Sequence, residues 1–202
     1  SPGTASLEQF ARDRLALGVA DGDGEALRMI DAGRLVLDSA QPSETRRFQL
    51  AHQIVAQALE AEIAQVVAGS GLSTQAAREL LAVGLANYTA GALLMPYAAF
   101  RAVALEERHD IDRLTRRFAV SFEQACHRLS TLQRPDLRGL PFFFCRVDMA
   151  GNITKRHSAT RFQFARFGGA CPLWNVHEAF SAPDRILVNL SEMPDGARYV
   201  CI

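Results

Sequence analysis

Apolar positions recur every three to four residues through the first two-thirds of the chain and alternate in the last third, so the pattern predicts helices followed by strands. Residues 6–17 are expected to form a short helix, ended by Gly18 and the Asp21-Gly22-Asp23-Gly24 turn. Residues 26–30 and 34–38 flank Asp31-Ala32-Gly33, a hairpin signal. Ser43 then caps a long helix in which Phe48, Ala51, Val55, Leu59, Ile63 and Val66 form one stripe. Gly69-Ser70-Gly71 stops it, and Ser73 or Thr74 starts the next. That helix is apolar on most sides, with Gly84, Ala86, Ala90, Gly91 and Ala92 interleaved. Small residues permit close helix contact, so it is expected to be the central buried helix. Pro96 ends or kinks it, and helices over 97–107, 110–117 and 121–132 complete this part.

The pattern changes near residues 134–141, where Pro135 and Pro141 mark a boundary. The expected division is 1–135, helical with an N-terminal hairpin, and 136–202, rich in strands. Strands are predicted over 142–148 and 153–157 around an Ala150-Gly151-Asn152 turn, and over 185–190 and 197–202. Residues 161–167 alternate, placing Phe162 and Phe164 on the face opposite Arg161, and 173–180 reads as a short helix. The fold class is therefore α+β, a helical lobe with an N-terminal β-hairpin followed by a mainly β lobe.

Composition narrows the setting. A chain of 202 residues, 49% hydrophobic, can bury one large core or two small ones. Its net charge of zero gives no bulk attraction to nucleic acid or to a membrane. No run of apolar residues is long enough to span a bilayer, and the N-terminal Ser-Pro-Gly-Thr opens no signal sequence, so a cytoplasmic location is expected. Cys126, Cys145, Cys171 and Cys201 lack C-x-x-C spacing and read as reduced thiols. Cys171 and His177 could form a nucleophile and base, but without a third partner the pair reads as structural.

Charge is concentrated in one place. No acidic residue lies between Asp148 and Glu178, while Lys155, Arg156, Arg161 and Arg166 all do, interleaved with Phe162, Phe164 and Phe167. Such a stretch fits a solvated strand face, or a surface for phosphates with an aromatic face for a base. Gly168 and Gly169 would let backbone N–H groups approach a phosphate.

The first chemical motif is incomplete. Residues 47–56, Arg-Phe-Gln-Leu-Ala-His-Gln-Ile-Val-Ala, have the framing of an HExxH helix, in which two histidines hold zinc and the glutamate works on its water. His52 is present, but Gln53 stands at the glutamate position and Ala56 at the second histidine. An amide takes no proton from water, and a methyl group binds no metal. Downstream, residues 86–96 read A-N-x-x-A-x-x-L-L-M-P. Together these segments resemble the ImmA/IrrE family of zinc-peptidase-like domains, which implies a zincin-like helical lobe. That family takes a third ligand from a glutamate just before the Ala-Asn pair. Val83, Gly84 and Leu85 stand there and cannot ligate, so no metal is expected.

The runs 142–148, 151–156 and 161–177 resemble the effector region of the short-chain fatty acyl transcriptional regulators. The resemblance covers nearly all of the chain from about residue 25 onward. It implies a bacterial sensor of acyl-coenzyme A (acyl-CoA) or free CoA that controls genes of propionate, acetate or fatty-acid use. DNA would be reached through a separate N-terminal helix-turn-helix, absent here, and the sensor is expected to be a homodimer or higher oligomer. Residues 198–202 read as a strand cut before further family sequence. Under this reading Lys155, Arg156, Arg161, Phe162, Phe164, Arg166, Gly168 and Gly169 meet the CoA phosphates and adenine. His52, Gln53, Ala56, Asn87 and Tyr88, with Tyr97 and Arg101 at the entrance, line an acyl and pantetheine pocket. The alternatives are a catalytically dead peptidase-like dimerisation module and a residual hydrolase. Residues 111–129 also read like a DNA-binding helix pair, but the second helix offers Glu123 beside Arg128, which disfavours a phosphate backbone.

Overall fold

The computed structural model describes residues 1–24, 26, 28–160, 175–192 and 196–202. The chain forms two compact units, Ser1–Gly139 and Leu140–Ile202.

The first unit begins with α1 (Thr4–Leu15), then β1 (Gly18–Gly22), β2 (Arg28–Asp31) and β3 (Arg34–Asp38). The predicted hairpin is β2–β3, turned by Ala32 and Gly33, both at positive φ as a two-residue hairpin requires. The sheet has a third strand that the sequence pattern missed. β1 pairs in parallel with β3, Val19 opposite Leu35 and Ala20 opposite Val36, where a helix end and a turn were expected. Its Gly-Val-Ala-Asp-Gly sequence has little β propensity of its own, and pairing with the strongly apolar β3 decides it. A Cβ on Gly22 would lie 2.9 Å from Val36 Cγ1, so glycine is what lets the strand approach. Leu35 and Leu37 of β3 are buried and pack towards α2.

The helices follow as α2 (Ser43–Ala58), α3 (Glu60–Ala68), α4 (Gln75–Leu94), α5 (Tyr97–Glu106), α6 (Ile111–Phe118) and α7 (Phe122–Ser130). Two expectations are corrected here. The single helix predicted from Ser43 breaks at Leu59 (φ −119°, ψ 25°) into α2 and α3. One residue out of helical geometry leaves the apolar spacing intact, so the pattern cannot register it. α4 is not the buried central helix. It buries Ala86, Ala90 and Leu94 along one stripe, while Leu80 is 75% exposed and nothing lies near a Cβ built on Gly84 or Gly91. Its small residues therefore serve no close contact at those two positions. Among the described residues no single helix is long and apolar enough to cross a membrane.

The core joins Leu50, Ile54 and Val55 of α2 to Leu94, Phe100, Leu114 and Leu129 of the later helices. Phe100 and Phe118 meet edge to face at 5.0 Å. Asp110 caps α6, and Ser121 caps α7 in a reciprocal capping box with Gln124. α7 turns Ala125, Arg128 and Leu129 inward, which is no arrangement for a helix reading a DNA groove.

The second unit contains β4 (Phe143–Val147) and β5 (Ile153–Ser158), α8 (Asn175–Ala179), and β6 (Asn189–Glu192) with β7 (Arg198–Cys201). Both strand pairs are antiparallel. The β4–β5 turn is held by Asp148, which accepts from the Asn152 backbone and side chain at 2.9 and 3.0 Å. The strand expected over 185–190 is paired only from Asn189 onward. The ring of Phe143 meets Tyr199 edge-on at 6.2 Å. Burial pushes the Cys126 thiol up to about 12, and burial followed by Cys201 pushes Cys145 up, so both stay protonated thiols at neutral pH.

One buried cation ties the helical unit together. Arg47 of α2 is 7% exposed and donates to the carbonyls of Phe118, Ala119 and Pro2 at 2.7–2.8 Å, and to Ser1 Oγ. Replacing it with leucine strands the two carbonyls that end α6. Arg47→Leu should lower unfolding stability by about 1–3 kcal/mol in urea denaturation. An unchanged midpoint would show that the tie is dispensable.

Candidate ligand-binding site

The inward face of α2 is spent on Leu50, Ala51, Ile54 and Val55, leaving His52, Gln53 and Ala56 half-buried at its border. Strand β2 sets Arg28 against this border, with Arg28 Nη1 2.7 Å from His52 Nδ1. A guanidinium can only donate, so Nδ1 must accept and the imidazole proton must sit on Nε2. Burial, and then the Arg28 charge, hold the His52 pKa below 6.5. The result is a neutral imidazole whose Nε2–H is a donor.

Zinc does not fit these residues. Gln53, Ala56, Val83, Gly84 and Leu85 supply no thiolate, imidazole or carboxylate, and a cationic guanidinium is bonded to the one imidazole present. Among the described residues no group of three or more His, Cys, Asp or Glu is placed to hold a metal.

α4 packs beside α2 and carries Asn87 and Tyr88, both exposed. Tyr88 leads to a second constellation. Arg128, only 3% exposed, lies with Cζ 5.6 Å from the Tyr88 ring and 5.6 Å from the Tyr97 ring. Its Nε donates to Met95 O at 2.9 Å, which closes the C-terminal end of α4. Tyr97 donates to Leu137 O at 3.0 Å and accepts from Arg134 N at 2.9 Å, while Arg101, one turn on, donates to Arg138 O. Tyr88, Tyr97 and Arg101 were candidates from sequence. Arg28, Arg128 and Arg134 were not. Arg128 carried a signal, since it sits between Ala125 and Leu129 on the inward face of α7.

In the second unit Lys155 is half-buried, its Nζ 5.9 Å from the Phe144 ring, and Arg156 is exposed opposite Cys145. As strand neighbours these two cations point to opposite faces of the hairpin rather than forming one surface. Arg161, Phe162, Phe164, Arg166, Gly168 and Gly169, together with Cys171, lie outside the described residues.

Residues 13–130 match the IrrE N-terminal-like domain family. The chain belongs to that family. Residues 131–202 match the C-terminal region of the short-chain fatty acyl coenzyme A regulators, so the IrrE-like domain occurs here in the setting of those regulators. The chain is 50% identical over 199 residues to a propionyl-CoA carboxylase regulator of Cereibacter sphaeroides, covering 98% of this chain and 43% of that protein. It is 47% identical to the HTH-type transcriptional regulator PrpR of Mycobacterium tuberculosis, covering 96% of this chain and 41% of PrpR. Over 125 residues it is 54% identical to the regulator RamB of the same organism, covering 62% of this chain and 26% of RamB. A solved Mycobacterium tuberculosis transcriptional regulator superposes with a TM-score of 0.90 at 44% identity, covering 98% of this chain and 61% of that one. The chain thus spans less than half the length of its curated relatives, and the mixed α+β fold is that of a regulator.

The state of His52 in this IrrE-like domain is directly measurable. A histidine whose folded pKa is depressed adds stability above its unfolded pKa and loses it as pH falls through the folded value. His52, His109 and His157 are all depressed, mainly by burial, so unfolding stability should fall as pH drops below about 6.5. Arg28→Ala removes one of the two causes at His52. Its imidazole pKa, followed by NMR of the ring protons, should move up towards 6.5, and a value that stays or falls would break the Arg28–His52 pairing.

Proposed function

We propose that this chain is the ligand-binding region of a bacterial transcriptional regulator that senses short-chain acyl-CoA or CoA. The observation that carries this reading is the peptidase frame of α2 and α4, kept while a guanidinium stands against its one remaining imidazole. A scaffold that retains shape without ligating groups is suited to binding rather than hydrolysis, and the relatives are named as regulators rather than enzymes. Neutral His52, with its Nε2–H free to donate, suits a thioester or amide carbonyl, beside Gln53, Ala56 and Asn87. Lys155, on one face of its hairpin, supplies with Arg161, Phe162, Phe164, Arg166, Gly168 and Gly169 the cations, aromatic faces and close backbone approach for phosphates and adenine, while Arg156 stands on the other face. Binding regulates only as far as the ligand prefers one conformation, and DNA is contacted by a helix-turn-helix outside these residues. Such a sensor works in the cytoplasm without a metal of its own.

One observation favours a second reading, a dimerisation module. Val66 of α3 and Leu80 and Val83 of α4 are more than half exposed, which leaves apolar side chains to cover. That module would self-associate with concentration and show no response to any CoA species.

Calorimetric titration separates the two readings. Propionyl-CoA is expected to bind saturably with a Kd in the range of about 1–100 μM. Lys155→Ala and Arg161→Ala should each weaken it by about tenfold or more, the loss of one charge-assisted hydrogen bond. Unchanged affinity in both variants would remove the phosphate assignment, and no heat with acetyl-, propionyl- or free CoA would remove the sensor reading.

A further inference from the structure

Two sets of described arginines differ in what they face. Arg12, Arg34, Arg46, Arg113 and Arg198 each face a carboxylate. Arg101, Arg128 and Arg134 face none among the described residues, although all three gather around Tyr97. Arg134 Cζ lies 5.0 Å from the Tyr97 ring centroid and Arg128 Cζ 5.6 Å from it, so one tyrosine ring serves two cations. Arg101 sits one turn after Tyr97 on α5 and bonds the same loop.

Arg128 is buried and has lost its hydration, and the charge of Arg134 works against it in the same direction. Arg128 is held by neutral acceptors, Met95 O and Thr131 Oγ1, which satisfy its donors without cancelling its charge. The loop that carries Arg134 is fixed in advance. The Tyr97 hydroxyl takes a bond from Arg134 N and gives one to Leu137 O, gripping both ends of the turn. Gly139 N bonds Leu132 O at 2.8 Å, and a Cβ on Gly139 would come within 2.9 Å of Leu132 Cβ, so the loop closes only with glycine there. Asp136, in the same loop, makes no ion pair with these arginines.

A fixed positive site with one exposed and one buried guanidinium on the same tyrosine ring fits a multiply charged oxyanion. The guanidinium fork matches two phosphoryl oxygens, and a buried cation in a low-dielectric setting strengthens the field at the surface above it. We propose that the Tyr97-centred cluster of Arg101, Arg128 and Arg134 is a binding site for a phosphoryl anion, a phosphate monoester or diphosphate. Arg134 makes the contact, Arg128 supplies the field, and Arg101 borders the site. Tyr97 and Arg101 then serve an anion rather than an acyl chain. The site lies wholly in the first unit and does not need the acyl-CoA reading.

The test is a titration of the 202-residue chain with inorganic pyrophosphate, followed by NMR, with propionate at matched ionic strength as the comparison. Saturable pyrophosphate binding is expected, with propionate inert at the same concentration. Arg134→Gln, at an exposed position, should keep the melting temperature and weaken pyrophosphate at least tenfold, while Arg12→Gln, an exposed cation on α1, leaves it unchanged. Arg101→Gln provides a second reading at a different element, with a smaller loss. Absence of saturation, equal binding of propionate, or undiminished affinity in both arginine variants would overturn the proposal. Pyrophosphate binding that survives a failure of propionyl-CoA to bind would remove the acyl-CoA reading and leave this site standing.

Discussion

Arg47 holds its guanidinium inside the helical unit, paired with no carboxylate among the described residues and bonded to the carbonyls of Phe118, Ala119 and Pro2. Those carbonyls end α6 or lie near the chain start, so this one side chain ties α2 to elements distant in sequence. α2 also carries His52, five residues on. The angle at which α2 enters the core therefore sets where the imidazole stands and which strand can reach it. Leu50 and Ile54 add the apolar burial, but burial is non-directional, and the three carbonyl bonds supply the orientation.

The same chemistry recurs twice in this unit. Arg28 is bonded to an imidazole nitrogen, and Arg128 to a carbonyl, a hydroxyl and two tyrosine rings. A peptidase would gather carboxylates and imidazoles around a cation. Here the cations belong to the protein and their partners are neutral. At His52 that inversion leaves the IrrE-like frame unfit for a metal ion, and it is the feature on which the proposed binding role rests.

Much of this was legible in the sequence because it is local. Asp110, Ser121 and Pro96 place α5, α6 and α7, and Ala32-Gly33 places the β2–β3 hairpin, each through a backbone requirement within a few residues. β1 was illegible because it is a strand only against β3. The exposure of α4 was illegible because an apolar helix with one buried stripe and one with several have the same composition. His52 could be singled out from its motif, yet its protonation state depends on Arg28, 24 residues away, and Arg128 gains its meaning from Met95 and Tyr97 on other helices. Residue type marks what chemistry is available; tertiary contact decides which part of it is used.

On the proposed function, the peptidase frame serves as a binding scaffold that holds no zinc and leaves its ligand unchanged. Native mass spectrometry of the chain incubated with propionyl-CoA and zinc tests metal, stoichiometry and turnover in one spectrum. The expected result is the chain plus one intact propionyl-CoA, with no zinc adduct and no accumulation of free CoA over hours. A chain carrying stoichiometric zinc, or thioester cleaved in its presence, would mark it as a working hydrolase instead.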